Sequence, residues 1–177
     1  MRNVILFIAM SLDGYLADSQ GGVGWLRGQD PRAEDPDSYA PFSQRVDTVL
    51  MGWNTYHQIT TELSPGTWVY SGMTSYVFTH RELPSTGAVR FTRQDPCALV
   101  RTLREQPGRD IWACGGADLI GQLMAGDCID RLEVSVIPTC LGGGIPLFRP
   151  TGRELPLRLL ETRQDNGIVE LIYQRRR

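Results

Sequence analysis

Residues 3–9 (NVILFIA) form an unbroken apolar, β-branched run with no helical spacing and no cap, the pattern of a strand buried on both faces at the centre of a sheet. Comparable runs at 48–51, 75–79, 88–92 and 110–113 predict further strands, the one at 88–92 short. Between them the period changes. Asp95 followed by Pro96 opens a helix with the cap residue and the first-turn residue in the expected order, and Leu99, Val100 and Leu103 supply its apolar stripe. Other helices are predicted at 38–45, 54–63 and 117–125. Residues 129–138 alternate loosely, with Leu132, Val134 and Val136 on one face, and 157–162 and 168–174 read as two strands joined by the hairpin signal Asp165-Asn166-Gly167.

Strands alternating with helices and then a terminal hairpin describe a single α/β domain, residues 1–177, with a mostly parallel central sheet and an antiparallel edge. In such open sheets ligands lie over the carboxyl ends of the strands, which directs attention to the residues after Ala9, Met51, Phe78 and Ala113. At the last of these, Gly115 and Gly116 separate an apolar strand from a helix. A turn without side chains there lets phosphates approach the main chain, and the helix that follows offers free N–H groups and a positive dipole end. A tight turn needing positive φ would use the same two glycines. Residues 18–41 are rich in Gly, Asp, Pro and Ser with Trp25-Leu26 as an apolar island, and a loop of that length in a compact domain is often functional.

Composition removes several alternatives. The chain has 177 residues and a formal net charge of −2, so nothing draws it generally to nucleic acid, and the Arg175-Arg176-Arg177 cluster reads as a solvated tail. It contains no lysine, which excludes Schiff-base chemistry on a protein amine and the P-loop lysine. The apolar run at 3–10 is too short to span a bilayer, and a cytoplasmic protein without a membrane partner is expected. The cysteines Cys97, Cys114, Cys128 and Cys140 show no CxxC pair, arguing against a metal cluster and for reduced, largely buried thiols.

Four segments occur in order over nearly the whole chain: Ser11-Leu12-Asp13-Gly14-Tyr15-Leu16-Ala17, Met51-Gly52-Trp53-Asn54-Thr55-Tyr56, Gly115-Gly116, and residues 138–148 (PTCLGGGIPLF). Together they resemble the dihydrofolate reductase-like superfamily, and within it the group related to the C-terminal reductase domain of bacterial riboflavin biosynthesis. The resemblance implies a three-layer dihydrofolate reductase-like fold, NADPH as cofactor with NADH as the alternative, a small heterocyclic substrate and a homodimer. It implies Ala9 and Gly14 beside the nicotinamide and Gly52, Trp53 and Thr55 near the pyrophosphate. Thr79, His80 and Arg81 would lie near the adenosine ribose and its phosphate, and Gly115, Gly116, Ala117, Leu119 and Ile120 across the diphosphate. Trp25 would belong to the loop that closes over the nicotinamide.

Two positions depart from the pattern. Trp53 stands where the family usually has an Arg that helps hold the phosphates, a charge Arg81 could replace, and Cys114 stands where the riboflavin reductases usually have a Glu. For chemistry, Asp13 is the candidate acid or substrate hydrogen-bonding group, against an Asp-Gly turn in which it caps local N–H groups. Asp37 and Tyr56 are candidate substrate contacts, against an N-terminal cap for Asp37 and packing for Tyr56. The expected activity is hydride transfer to a pteridine, pyrimidine or related heterocycle. A ligand-binding protein of the same fold without turnover, or a dimeric structural module, would share these features.

Overall fold

The structure is a computed structural model that describes residues 1–176. Ten strands and four helices follow in the order β1 (Val4–Ser11), β2 (Tyr15–Ala17), α1 (Tyr39–Ser43), β3 (Val46–Gly52), α2 (Trp53–Gln58), β4 (Thr74–Phe78), β5 (Val89–Thr92), α3 (Pro96–Glu105), β6 (Asp110–Gly115), α4 (Ala117–Ala125), β7 (Arg131–Ile137), β8 (Ile145–Pro146), β9 (Leu157–Asp165) and β10 (Ile168–Arg175). Eight strands make one sheet in the order β5-β4-β3-β6-β1-β7-β10-β9, and β2 pairs with β8 in a second, two-stranded sheet. Strands β5 through β7 are parallel, while β10 runs antiparallel to both β7 and β9. This is the α/β architecture the sequence pattern requires.

Because side chains alternate across a strand, β1 feeds two cores. Val4 and Leu6 join Leu99, Val100, Leu103, Ile120 and Leu123 under α3 and α4. Ile5 and Phe7 meet Phe42, Val49, Met51 and Trp112 under α1 and α2. Phe42 anchors the short α1: its ring stacks on Phe7 at 4.0 Å and meets the edge of Trp112 at 5.4 Å. Asp95 caps α3 as expected, its carboxylate accepting the Ala98 N–H at 2.8 Å, a contact worth about 1 kcal/mol.

Several expectations need correction. The helix predicted over 54–63 is α-helical only through Gln58 and then widens into a π-helical turn at Ile59–Leu63. There the hydroxyls of Thr60 and Thr61 donate back to the carbonyls of Tyr56 and His57, competing with the regular ladder. The β2–β8 pairing, between two very short segments, carries no periodic signal. The thiols are less buried than expected: only Cys128 is fully buried, Cys97 and Cys114 are partly so, and Cys140 is exposed. No described helix is long and apolar enough to cross a membrane, and no described cluster of His, Cys, Asp or Glu could hold a metal ion.

Candidate functional site

The carboxyl ends of β3, β6 and β1 lie side by side, so Gly52, Cys114-Gly115-Gly116 and Ala9 reach the same edge of the sheet. A side-chain-free cradle forms there. A Cβ on Gly52 would sit 3.7 Å from the Gly116 nitrogen, and Cβ atoms on Gly115 and Gly116 would sit 3.7 and 3.4 Å from Thr55 Oγ1. Gly115 holds φ +139°, which side-chain-bearing residues rarely adopt, and its peptide bond to Gly116 is cis. Gly116 precedes α4, whose first turn presents backbone N–H groups to the same space. Ala117, Leu119 and Ile120 are buried, the latter two in the core beneath α3 and α4, which leaves their side chains turned to the protein interior.

Beyond β1, residues 11–17 are fastened to residues 139–147. Leu12 N–H donates to the Thr139 carbonyl at 2.8 Å and Leu147 N–H to the Gly14 carbonyl at 2.9 Å. Asp13 completes the join. Its carboxylate accepts the Ser11 hydroxyl at 2.6 Å and the N–H groups of Leu141 and Gly142 at 3.0 and 2.7 Å. The Ser11 hydroxyl first, and then those two backbone donors, hold its carboxyl below the usual carboxylate range. An acceptor that holds three donors is an anchor: Asp13 ties the Gly142 loop to the end of β1.

Two other candidate substrate contacts have protein partners of their own. Asp37 accepts the Ala40 N–H at 3.0 Å in the first turn of α1, where it serves as a cap. Tyr56 packs within 5.2–5.6 Å of Phe91, Trp68 and Trp53, inside an aromatic wall. Trp25 is half-buried, and its indole N–H donates to the Gly22 carbonyl of its own loop at 3.2 Å. That loop is pinned to α2 by the Gln58 side chain, which donates to the Gly21 carbonyl at 2.9 Å.

The group that sequence reasoning missed is Tyr70. It sits in the loop between the π-helical turn and β4, 5.0 Å edge-on to Trp112 and 6.4 Å from Tyr39, with its hydroxyl 4.0 Å from Cys114 Sγ. Burial, more than any neighbouring charge, raises the pKa of both tyrosines and pushes the Cys114 thiol up to about 12. The end of β6 is therefore bordered by neutral hydroxyl and thiol groups, where a Glu in place of Cys114 would have brought a negative charge. No periodicity or motif marks Tyr70, because a loop places it.

At the β4 end, Thr79 is nearly buried and its hydroxyl accepts the Arg81 backbone N–H at 3.1 Å. His80 is exposed, and its carbonyl accepts Arg93 at 2.9 Å. Arg81 lies with its guanidinium carbon 4.7 Å from the centre of the Trp53 ring. The tryptophan at the family's arginine position and the arginine that could replace its charge are thus in contact.

The architecture agrees with known proteins. Residues 2–169 match the RibD C-terminal domain family. YwjB of Bacillus subtilis (strain 168), an uncharacterized protein, is 38% identical over 175 residues, spanning 98% of each chain. The structure superposes on that of a protein from Shewanella sp. PV-4 assigned to riboflavin biosynthesis with a TM-score of 0.86, at 26% identity and covering all of both chains. It also superposes on dihydrofolate reductase from Enterococcus faecalis, solved with NADP(H), with a TM-score of 0.65 at 13% identity, covering 98% of this chain and 96% of that one. The fold is therefore that of the dihydrofolate reductase-like proteins, a reductase-type fold, and the chain belongs to the RibD C-terminal domain family.

Proposed function

We propose that the protein is an NADPH-dependent reductase that transfers hydride to a small, flat heterocycle of the pteridine or pyrimidine kind. The observation that carries this reading is the cradle of Gly52, Thr55, Gly115 and Gly116, where added Cβ atoms on the glycines would lie 3.4–3.7 Å from the surrounding backbone and hydroxyl. Main-chain N–H groups and a threonine hydroxyl, with no carboxylate among the four residues, fit a diphosphate.

When bound, the dihydronicotinamide supplies the hydride, and the protein supplies binding and orientation. Ala9 and Gly14 leave room for a flat ring at the end of β1. Tyr39 and the half-buried Tyr70, backed by the buried Trp112, give a heterocycle an aromatic face to pack on, near the 4.0 Å Tyr70–Cys114 contact. Tyr70 is the hydroxyl that hydrogen-bonds the ring receiving hydride, the role first sought in Asp13. The loop carrying Trp25 excludes water from that space. The reading includes a cytoplasmic homodimer: β9 is an edge strand, and Leu159 and Leu160 on it are 51% and 42% exposed.

Calorimetric titration of the nucleotide-free protein with NADPH and with NADH tests the reading, followed by a heterocycle screen that monitors loss of reduced-cofactor absorbance. Binding of NADPH with turnover of a heterocycle is the expected result. Binding without any turnover would favour a ligand-binding protein of this fold, and no binding at all would overturn the reading.

A further inference from the structure

The Arg81 guanidinium has no carboxylate within ion-pair distance among the described residues, and its side chain makes no hydrogen bond to protein. What holds it is the indole of Trp53, 4.7 Å away. The ring is itself fixed from below, by Tyr56 at 5.6 Å and Phe91 at 6.5 Å. Beside Arg81 an open groove of about 610 Å³ is lined by residues 81–84 and 91–93, with the Glu82 carboxylate among them. Of its two arginines, Arg93 is already committed, to the Glu82 carboxylate at 3.1 Å and the His80 carbonyl at 2.9 Å. Arg81 is the groove's uncommitted cation.

A guanidinium held against an aromatic ring keeps its N–H donors, because the ring takes its charge and not its hydrogen-bonding capacity. We infer that Trp53 is a positioning residue that sets cofactor choice, holding Arg81 at this groove so that its donors meet the ribose phosphate that distinguishes NADPH from NADH. Trp53 thus does not merely remove the arginine expected at its position. It transfers the phosphate-binding task to Arg81 and keeps that long, otherwise free side chain in place, so less rotamer freedom is lost when the phosphate arrives. The inference rests on the reductase reading above, since it presupposes a dinucleotide in the cradle.

The test is a double-mutant cycle read by calorimetry, with NADPH and NADH as the two probes. Arg81→Ala should weaken NADPH about 30-fold, as loss of charge-assisted hydrogen bonds does, and leave NADH within about twofold. Trp53→Ala should weaken NADPH about fivefold and NADH little, while Trp53→Phe, which keeps an aromatic face and the packing on Tyr56, should stay close to wild type. In the Arg81→Ala background Trp53→Ala should add nothing to the NADPH:NADH ratio, because Trp53 acts through Arg81. Equal losses for both cofactors on Trp53→Ala, or additive effects on the ratio, would overturn the inference while leaving the reductase reading intact. Failure of the unmodified protein to bind either cofactor would overturn both.

Discussion

The carboxylate of Asp13 accepts the backbone N–H of Gly142 at 2.7 Å across 129 positions of sequence, and so joins the loop after the central strand to the triglycine segment before β8. The Ser11 hydroxyl, the strongest influence, lowers the Asp13 pKa, so the folded state favours the ionised form. The stabilisation this gives is present in full above the ordinary carboxylate pKa and is lost as pH falls through the lowered folded value. The Gly142 amide resonance should therefore move in an acid titration at a pH below that of an ordinary aspartate. Asp13→Asn should abolish that movement, and an unmoved Gly142 amide between about pH 6 and pH 2 in the wild-type protein would refute the anchor.

Gly144 tests the same join from the other side. It holds φ +137°, and a Cβ there would overlap the carbonyl oxygen of Ala17. Gly144→Ala should cost about 3 kcal/mol, seen as a fall in Tm of roughly 6–12 °C, because neither the backbone angle nor the contacting carbonyl can yield cheaply. Gly143→Ala, whose Cβ meets nothing within 4 Å, is the control and should change Tm little.

The cradle makes a sharper demand on charge than on space. Gly116→Asp would put a carboxylate beside Thr55 Oγ1, already 3.4 Å from the new Cβ, in the position assigned to diphosphate. NADPH affinity should fall by more than about 100-fold with the far-ultraviolet spectrum unchanged. Retained affinity would mean that the diphosphate lies elsewhere.

Thiol chemistry gives an independent reading of the electrostatics. Burial is the main cause that pushes Cys114 and Cys128 up to about 12, whereas Cys140 is exposed. At pH 8 only about one in ten thousand of the raised thiols is ionised, so a disulfide reagent should modify Cys140 quickly and spare Cys114 and Cys128 until the protein unfolds. Removing the fast phase with Cys140→Ser would confirm the assignment, and a fast reaction at Cys114 would contradict the neutral environment at the end of β6.

Phe42 offers the simplest stability test. It is 1% exposed and stacks on Phe7 at 4.0 Å, so Phe42→Ala should destabilise the protein by about 3–5 kcal/mol in equilibrium denaturation. Because α1 has little else to hold it, quenching of Tyr39 and Tyr70 fluorescence should change with it.

Features set by near neighbours in the chain were legible in the sequence. Asp95 and Pro96 open α3 as expected, α4 runs over the residues anticipated, and Asn166 and Gly167 take φ +45° and +75° in the predicted hairpin. The cradle glycines were legible too, since a strand-to-helix turn is a local event. Roles that depend on distant partners were not. Asp13 looked like an acid because the N–H groups it accepts, those of Leu141 and Gly142, arrive from the far end of the chain. Tyr70 carried no signal, and the contacts of Tyr56 with Trp68 and Phe91 were not visible in its own segment. Trp53 read as the loss of a charge. Its contact with Arg81 is visible only once β3 and β4 are paired.

The position of β1 has a consequence for how the chain is made. Strand β1 pairs with Ile111 to Ala113 on one side and with Arg131 to Ile137 on the other, both far downstream in the chain. At about 5–20 residues synthesised per second, roughly ten seconds separate the emergence of β1 from that of β7, and for most of that interval this apolar strand has no native partner in the sheet. Folding of this sheet waits on its last third, and a nascent chain stopped before β7 is the form that most needs a chaperone.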